Sequence, residues 1–377
     1  MTEICEKEHC TGCWACVNSC MKNAITMREG QLGHLYPHID IDICIDCRLC
    51  HKICPANKVL DATFPSTAFA GWSKNLDEYK TSTSGGAAAA FSKYLIRQGG
   101  VVYGCACLDN VNICHVRVDK ESDLHLFKGS KYVQSNVGEN FRLAKEDLQA
   151  GRKVLFIGTP CQIAGLKSYL RKDYANLYLV DLICHGVPSL VYLKQHVFKM
   201  TKSKEISQVK FRDGDGMYLL LLLLRDKVLY RRSLWEERYK DTYFNTFIDG
   251  FTYRNSCYQC KFAKPERVSD ITIGDFWGLK DDLPLAHPNG CSCLLPITPK
   301  GVELINAIKS DFHLFEREIS EAVSGNEQLR HPKRKNFRIS VFRNIYHLIG
   351  IDTAYKLTVS DRIIRYYLRK LIKKIFK

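Results

Sequence analysis

Cys10-Thr11-Gly12-Cys13-Trp14-Ala15-Cys16-Val17-Asn18-Ser19-Cys20 and Cys44-Ile45-Asp46-Cys47-Arg48-Leu49-Cys50-His51-Lys52-Ile53-Cys54-Pro55 share one spacing, C-x2-C-x2-C-x3-C. In such a run three closely spaced thiolates wrap one corner of a 4Fe-4S cube, while the fourth sits on a diverging segment and reaches a neighbouring cluster. Two runs therefore predict two clusters with crossed ligands. Cys10, Cys13 and Cys16 are expected to work with Cys54, and Cys44, Cys47 and Cys50 with Cys20. A pair of zinc sites is the competing reading, since C-x2-C pairs also bind zinc, but it leaves the repeated third and fourth cysteines without a purpose. Met21 stands where a proline often follows the fourth cysteine, which loosens a turn without removing a ligand.

Working outward, residues 1–62 are too few and too polar to fold on apolar burial alone, so metal has to organise them. They are read as a bacterial-type ferredoxin module of α+β class. The chain has 18 cysteines in 377 residues, nine of them in the first 54 positions. Its opening residues show no apolar export segment, so clustered cysteines read as metal ligands in a reducing, cytoplasmic setting. The longest apolar run, Met217 to Leu224, is too short to cross a bilayer and is expected to be a buried strand. A formal charge of +15 favours acidic partners, and no nucleic-acid module accompanies it, so nucleic acid is not expected.

From about residue 68 the pattern becomes an α/β rhythm. Helices are expected from Gly85 to Gln98, Asn140 to Gln149, Cys161 to Leu170 and after Pro188. Strands are expected over Val101 to Cys107, Lys153 to Ile157 and Leu177 to Ile183, in a parallel or mixed sheet, with antiparallel strands over 205–232. No Gly-x-Gly-x-x-Gly is present, which disfavours a nicotinamide dinucleotide bound on that fingerprint.

Several segments then occur in order: Ser84-Gly85-Gly86, Lys128-Gly129-Ser130-Lys131-Tyr132-Val133-Gln134-Ser135, Gly158-Thr159-Pro160-Cys161-Gln162, Cys184-His185-Gly186-Val187-Pro188, Cys257-x2-Cys260 and Ser269-Asp270-Ile271-Thr272-Ile273-Gly274-Asp275-Phe276-Trp277-Gly278. With them the chain resembles the coenzyme F420 hydrogenase/dehydrogenase beta-subunit family, in its bacterial branch with a fused ferredoxin. The resemblance covers roughly residues 5–300. It implies a larger α/β flavin-binding domain over 68–325, FAD, and a third 4Fe-4S cluster on Cys161, Cys184, Cys257 and Cys260.

For each of those four the plain alternative is a buried structural cysteine. Cys5, Cys105, Cys107, Cys114, Cys291 and Cys293 are read as packing residues.

Ser84, Gly85 and Gly86 at a helix start offer free backbone N–H groups to a pyrophosphate, or simply an N-cap. Lys128, Ser130 and Lys131 offer charge and hydrogen bonds to the same phosphates, or form a solvated basic loop; Gln134 and Ser135 offer hydrogen bonds to the cofactor. Gly158 and Thr159 end an apolar strand where open sheets place ligands. His185 is the candidate acid or base, against a packing histidine. Asp275 is a candidate for a ribose or a ring nitrogen, or a capping residue.

The function these readings imply is an iron–sulfur flavoprotein oxidoreductase. It would pass electrons between a ferredoxin-like or other redox partner and a small-molecule substrate, with surface polysaccharide biosynthesis as one setting suggested by analogy. The alternative is a non-catalytic electron relay that holds clusters for a partner enzyme.

Residues 326–377 read as a basic, helical C-terminal tail. From Ser360, Ile364, Leu368, Leu371, Ile372 and Ile375 make an apolar stripe among Arg362, Arg365, Arg369, Lys370, Lys373, Lys374 and Lys377. That is the pattern of a helix lying peripherally on the inner face of an anionic membrane, or of a helix packed on its own domain.

Overall fold

The computed structural model describes residues 3–202, 205–212, 217–225 and 227–375, so Lys377 lies outside the described residues. The N-terminal part is a ferredoxin-like α+β module. Its helices α1 (Ala15–Ser19) and α2 (Leu49–Lys52) begin at the same point of the two cysteine runs, each after a left-handed residue, Trp14 at φ 70° and Arg48 at φ 58°. That turn curls each C-x2-C segment back on itself. Strands β1 (Ile25–Glu29) and β2 (Leu35–Ile39) pair antiparallel, with Ile25 opposite Ile39. Ile4, Ile25 and Ile39 pack directly against the cysteines, a small apolar core that suits so small a module.

The larger domain is α/β. It runs β3 (Ala68–Ser73), α3 (Leu76–Thr81), α4 (Ala87–Arg97), β4 (Val101–Leu108), β5 (Asn112–Val118), α5 (Asn140–Gln149), β6 (Val154–Gly158), α6 (Pro160–Leu170), β7 (Leu177–Leu182) and α7 (Leu190–Thr201). There follow β8 (Gln208–Arg212), β9 (Tyr218–Leu224), β10 (Lys227–Ser233), α8 (Thr242–Ile248), β11 (Ile271–Asp275), β12 (Ser292–Pro296), α9 (Pro299–Ile308), β13 (Phe312–Arg317) and α10 (Ile319–Gly325). The chain ends with α11 (Phe337–Ile349), α12 (Ile351–Thr358) and α13 (Ser360–Ile375).

The main sheet is mixed, in the order β13-β3-β12-β11-β7-β6-β4-β5, with β4, β6, β7 and β11 mutually parallel. Strand alternation explains why both of its faces are covered. Val101, Tyr103, Val154, Phe156 and Leu179 face α5 and α6, while Val102, Leu155, Tyr178 and Val180 face α4 and α9. The strands β8 to β10 form a separate antiparallel sheet, whose Leu220 and Leu222 pack against α7.

From Phe337 the C-terminal region is helical, but α11 and α12 are part of the body. Phe342, Ala354 and Tyr355 pack with Phe251 and with Leu32 of the ferredoxin-like module, so enough apolar surface was present to fold these helices down. Of these three C-terminal helices, α13 alone has no buried residue among those described. Among the described residues no helix is long and apolar enough to cross a membrane.

Candidate iron–sulfur and flavin sites

The eight cysteines of the N-terminal runs fall into two groups in space. Burial, followed by the negative charge of Cys13, Cys10 and Cys54, pushes the Cys16 thiol well above its ordinary value. Burial, followed by Cys47, Cys20 and Cys44, raises Cys50. Cys54 thus neighbours the first run's cysteines, and Cys20 neighbours those of the second. Cys5 packs in the small core of the module, as expected, and its thiol interacts with those of Cys10 and Cys54. That interaction, against the opposing effect of burial and with help from the Arg254 charge, holds Cys10 down at about 5.

A second site lies at the C-terminal ends of the parallel strands, where open α/β sheets bind ligands. Cys161 is in the first turn of α6, Cys184 follows β7, Cys257 lies within the short helical turn Asn255–Gln259 and Cys260 ends that turn; all four line one pocket. Burial pushes Cys161 up to about 11 and Cys184 up to about 12, and neighbouring cysteine charges add to both shifts. Cys257 is raised well above its ordinary value by burial and then by Cys184, Cys260 and Cys161. Four half-buried thiols that raise one another's pKa are a set that a cation can bind by replacing their protons. Among the described residues no three His, Cys, Asp or Glu side chains close around a single-ion site. A cubane asks for a looser set, since each thiolate binds a different iron, whereas zinc draws every ligand onto one ion at about 2.3 Å.

The pocket is shared between the two parts of the chain, because His9, Thr11, Pro55 and Ala56 of the ferredoxin-like module also line it. Two arginines serve this junction, and neither stands out in the sequence. Arg254 is 1% exposed, yet among the described residues no carboxylate pairs with it. Its guanidinium donates to the Cys10 carbonyl at 2.6 Å, the Leu35 carbonyl at 2.7 Å, the Gln134 side chain at 3.2 Å and the Cys10 sulfur at 3.4 Å. A buried cation needs an anion, and the Cys10 thiolate group is the one in reach. Arg267, equally buried, lines the pocket with Nε and Nη2 unpartnered and its Nη1 3.8 Å from the buried Asp181. Arg142 fixes the other side of the module, donating to the carbonyls of Asn18, Val17 and Cys20.

The proposed cofactor contacts divide between two places. Gln134, Ser135, Gly158 and Thr159 belong to the cysteine pocket. Gln134 donates to the Thr11 carbonyl, Ser135 bonds His115 and accepts from Gln162, and Thr159 caps α6 beside the Cys161 sulfur at 3.2 Å. Ser84, Gly85, Gly86, Ser130 and Asp275 lie along the N-terminal approach to α4. Thr83 bonds Ser130, and Arg212 ties the Thr83 carbonyl to Asp275. A β-carbon at Gly85 would lie 2.0 Å from the Gly71 carbonyl oxygen, so only glycine lets the chain pass there. Gly86, at φ 89°, then turns into the helix.

The buried Ser84 hydroxyl has no partner, an orphan that suits a bound cofactor. The two lysines do not suit it. Lys128 pairs with Glu78 at 3.0 Å, and Lys131 donates to the carbonyls of Phe127 and Lys128, so both charges hold the loop itself.

His185 lines the cysteine pocket, open to solvent yet ringed by protein, and that desolvation holds its imidazole below its ordinary value. The charges of Asp275 and Glu327 act in the opposite direction. Cys291 and Cys293 are buried in β12 and its surrounding core.

Comparison with known proteins gives two family matches. Residues 151–322 match the C-terminal part of the coenzyme F420 hydrogenase/dehydrogenase beta subunit, and residues 9–58 match the 4Fe-4S dicluster domain. An uncharacterized ferredoxin of Methanocaldococcus jannaschii is 32% identical over 57 residues, 15% of this chain and 73% of that protein. An uncharacterized protein from the rpl9-rpl11 intergenic region of Porphyra purpurea is 37% identical over 62 residues, 16% of this chain and 83% of that protein. Among solved structures, a chain of the F420-reducing NiFe hydrogenase complex from Methanosarcina barkeri is similar at 18% identity and TM-score 0.47, over 81% of this chain and 95% of that one. By the two family matches, residues 151–322 belong to the coenzyme F420 hydrogenase/dehydrogenase beta-subunit family, an oxidoreductase family, and residues 9–58 are an iron–sulfur electron-transfer module of the 4Fe-4S dicluster type.

Proposed function

We propose that this chain is an iron–sulfur flavoprotein that exchanges electrons with a redox partner at its ferredoxin-like end and with a small reducible substrate at the pocket end. In this reading Cys10, Cys13, Cys16 and Cys54 hold one cluster, Cys44, Cys47, Cys50 and Cys20 a second, and Cys161, Cys184, Cys257 and Cys260 a third. When bound, the clusters supply one-electron storage and FAD supplies the junction to two-electron chemistry. Ser84, Gly85, Gly86 and Ser130 would hold the flavin, with Asp275 oriented by Arg212. His185 is the residue for moving a proton at that junction.

The observation that carries the proposal is the contact between the modules. Gly165 lies one turn after Cys161 on α6, and a β-carbon there would lie 2.9 Å from Cβ and 3.0 Å from Sγ of Cys13. The missing side chain lets a cysteine of the first set pack against the helix that presents a cysteine of the third. A relay needs that adjacency; two independently placed metal sites do not. All 18 cysteines are free, which suits a reducing compartment.

The test is anaerobic reconstitution with iron, sulfide and FAD followed by gel filtration. Flavin is expected to stay with the protein, and Ser84→Ala is expected to weaken its retention several-fold, about 1 kcal/mol for one hydrogen bond, at unchanged iron content. Protein that holds iron and sulfide but releases all flavin would instead indicate a pure electron relay.

A further inference from the structure

The last helix is attached to the protein by the wrong face for a packed surface element. Tyr366 donates to the Glu236 carbonyl at 3.4 Å and meets Tyr239 edge-on at 5.7 Å, Lys370 reaches the same carbonyl at 3.5 Å, and Ile363 touches the α11–α12 core. At about 3.6 residues per turn, Ile363, Tyr366 and Lys370 share one side of α13. Ile364, Leu368, Leu371, Ile372 and Ile375 share the opposite side, and each is between 52% and 67% exposed. A helix folded onto its own domain buries its apolar stripe. This one turns it outward.

We infer that α13 is a membrane-surface anchor whose occupant is an anionic lipid bilayer. Three observations favour lipid over a protein partner or a second copy. Arg362, Arg365, Arg369, Lys373 and Lys374 flank the stripe or lie behind it, with Asp361 the only acid on the helix, the charge pattern of an interfacial helix. Pairing α13 with another copy would bring these basic flanks together, and the whole chain already carries +15. Beside the attachment point, Trp235 is 56% exposed, and tryptophan is the side chain favoured at the headgroup level.

The test uses the full chain, kept anaerobic, in flotation with vesicles of phosphatidylcholine alone or with added phosphatidylglycerol. At low salt the bound fraction is expected to be at least tenfold higher on the anionic vesicles and to fall as salt rises, because screening within about 8 Å at physiological ionic strength removes the attraction. Leu368→Asp with Leu371→Asp should lower binding at least tenfold at unchanged iron–sulfur absorbance. Truncation before Ser360, which removes no buried residue among the described ones, should do the same if the double variant fails to fold. Absence of binding at low salt, equal binding to both vesicles, or binding that survives both changes would overturn the inference. So would a lipid-free dimer that the double variant splits, since the stripe would then be an interface between copies.

Discussion

Replacing Cys257 with alanine is expected to remove one cluster and leave the other two untouched. Iron and sulfide should fall by about a third, because three four-iron sites become two. The selectivity follows from position: Cys257 has Cys184, Cys260 and Cys161 as its sulfur neighbours, and the ferredoxin-like cysteines are grouped elsewhere. Electron delivery to a low-molecular-weight acceptor at the pocket should stop, while reduction of the remaining clusters by dithionite should persist. Elemental analysis of the purified variant, with its visible spectrum, checks this. An intact protein that already holds only two clusters' worth of iron would remove the third site.

The second large effect is expected at Arg254. Its guanidinium touches both the carbonyl and the sulfur of Cys10, and its burial leaves little water to screen the charge. Two unit charges 4 Å apart at an effective dielectric near 20 interact by about 4 kcal/mol, a value that spreading the reduced charge over a cluster lowers. Loss of the cation therefore disfavours the reduced, more negative state. Arg254→Met should lower the potential of the cluster on Cys10 by one to two decades in its equilibrium, on the order of 60–120 mV, with the cluster on Cys47 unchanged. Arg254→Lys keeps the charge and should recover most of the shift, although a single ammonium cannot also reach the Cys10 and Leu35 carbonyls. Redox titration followed by electron paramagnetic resonance separates these cases. Equal shifts at both ferredoxin-like clusters would mean that Arg254 acts only by holding the module in place.

What the sequence revealed and what it hid follow from the range of the interactions involved. Both cysteine runs are local, and turns at Trp14 and Arg48 within the runs shape them, so the 4Fe-4S dicluster type of the module was legible from spacing. Elements such as α5, α6 and β7 were legible because each presents an apolar pattern to one shared core. Arg254 and Arg267 were not legible. An isolated arginine carries no pattern, and what makes these two special is a partner or pocket that only folding creates. The Lys128–Ser135 segment misled for a related reason. Neighbouring residues there diverge, with Ser130 turned toward Thr83 and Gln134 toward Thr11, and the lysine charges that suggested a phosphate site are spent on Glu78 and on backbone carbonyls. In α13 the apolar stripe was readable, whereas its outward orientation required the contacts of Tyr366 and Lys370.

The central claim is that the cluster sites at Cys13 and at Cys161 adjoin across Gly165. Electron paramagnetic resonance of the fully reduced protein tests it most directly, since neighbouring paramagnets broaden one another. The expected result is a spectrum broadened by coupling among three clusters that narrows in Cys257→Ala to the mutual coupling of the two ferredoxin-type clusters alone. A wild-type spectrum that is already the plain sum of uncoupled signals, unchanged by that substitution, would contradict the account.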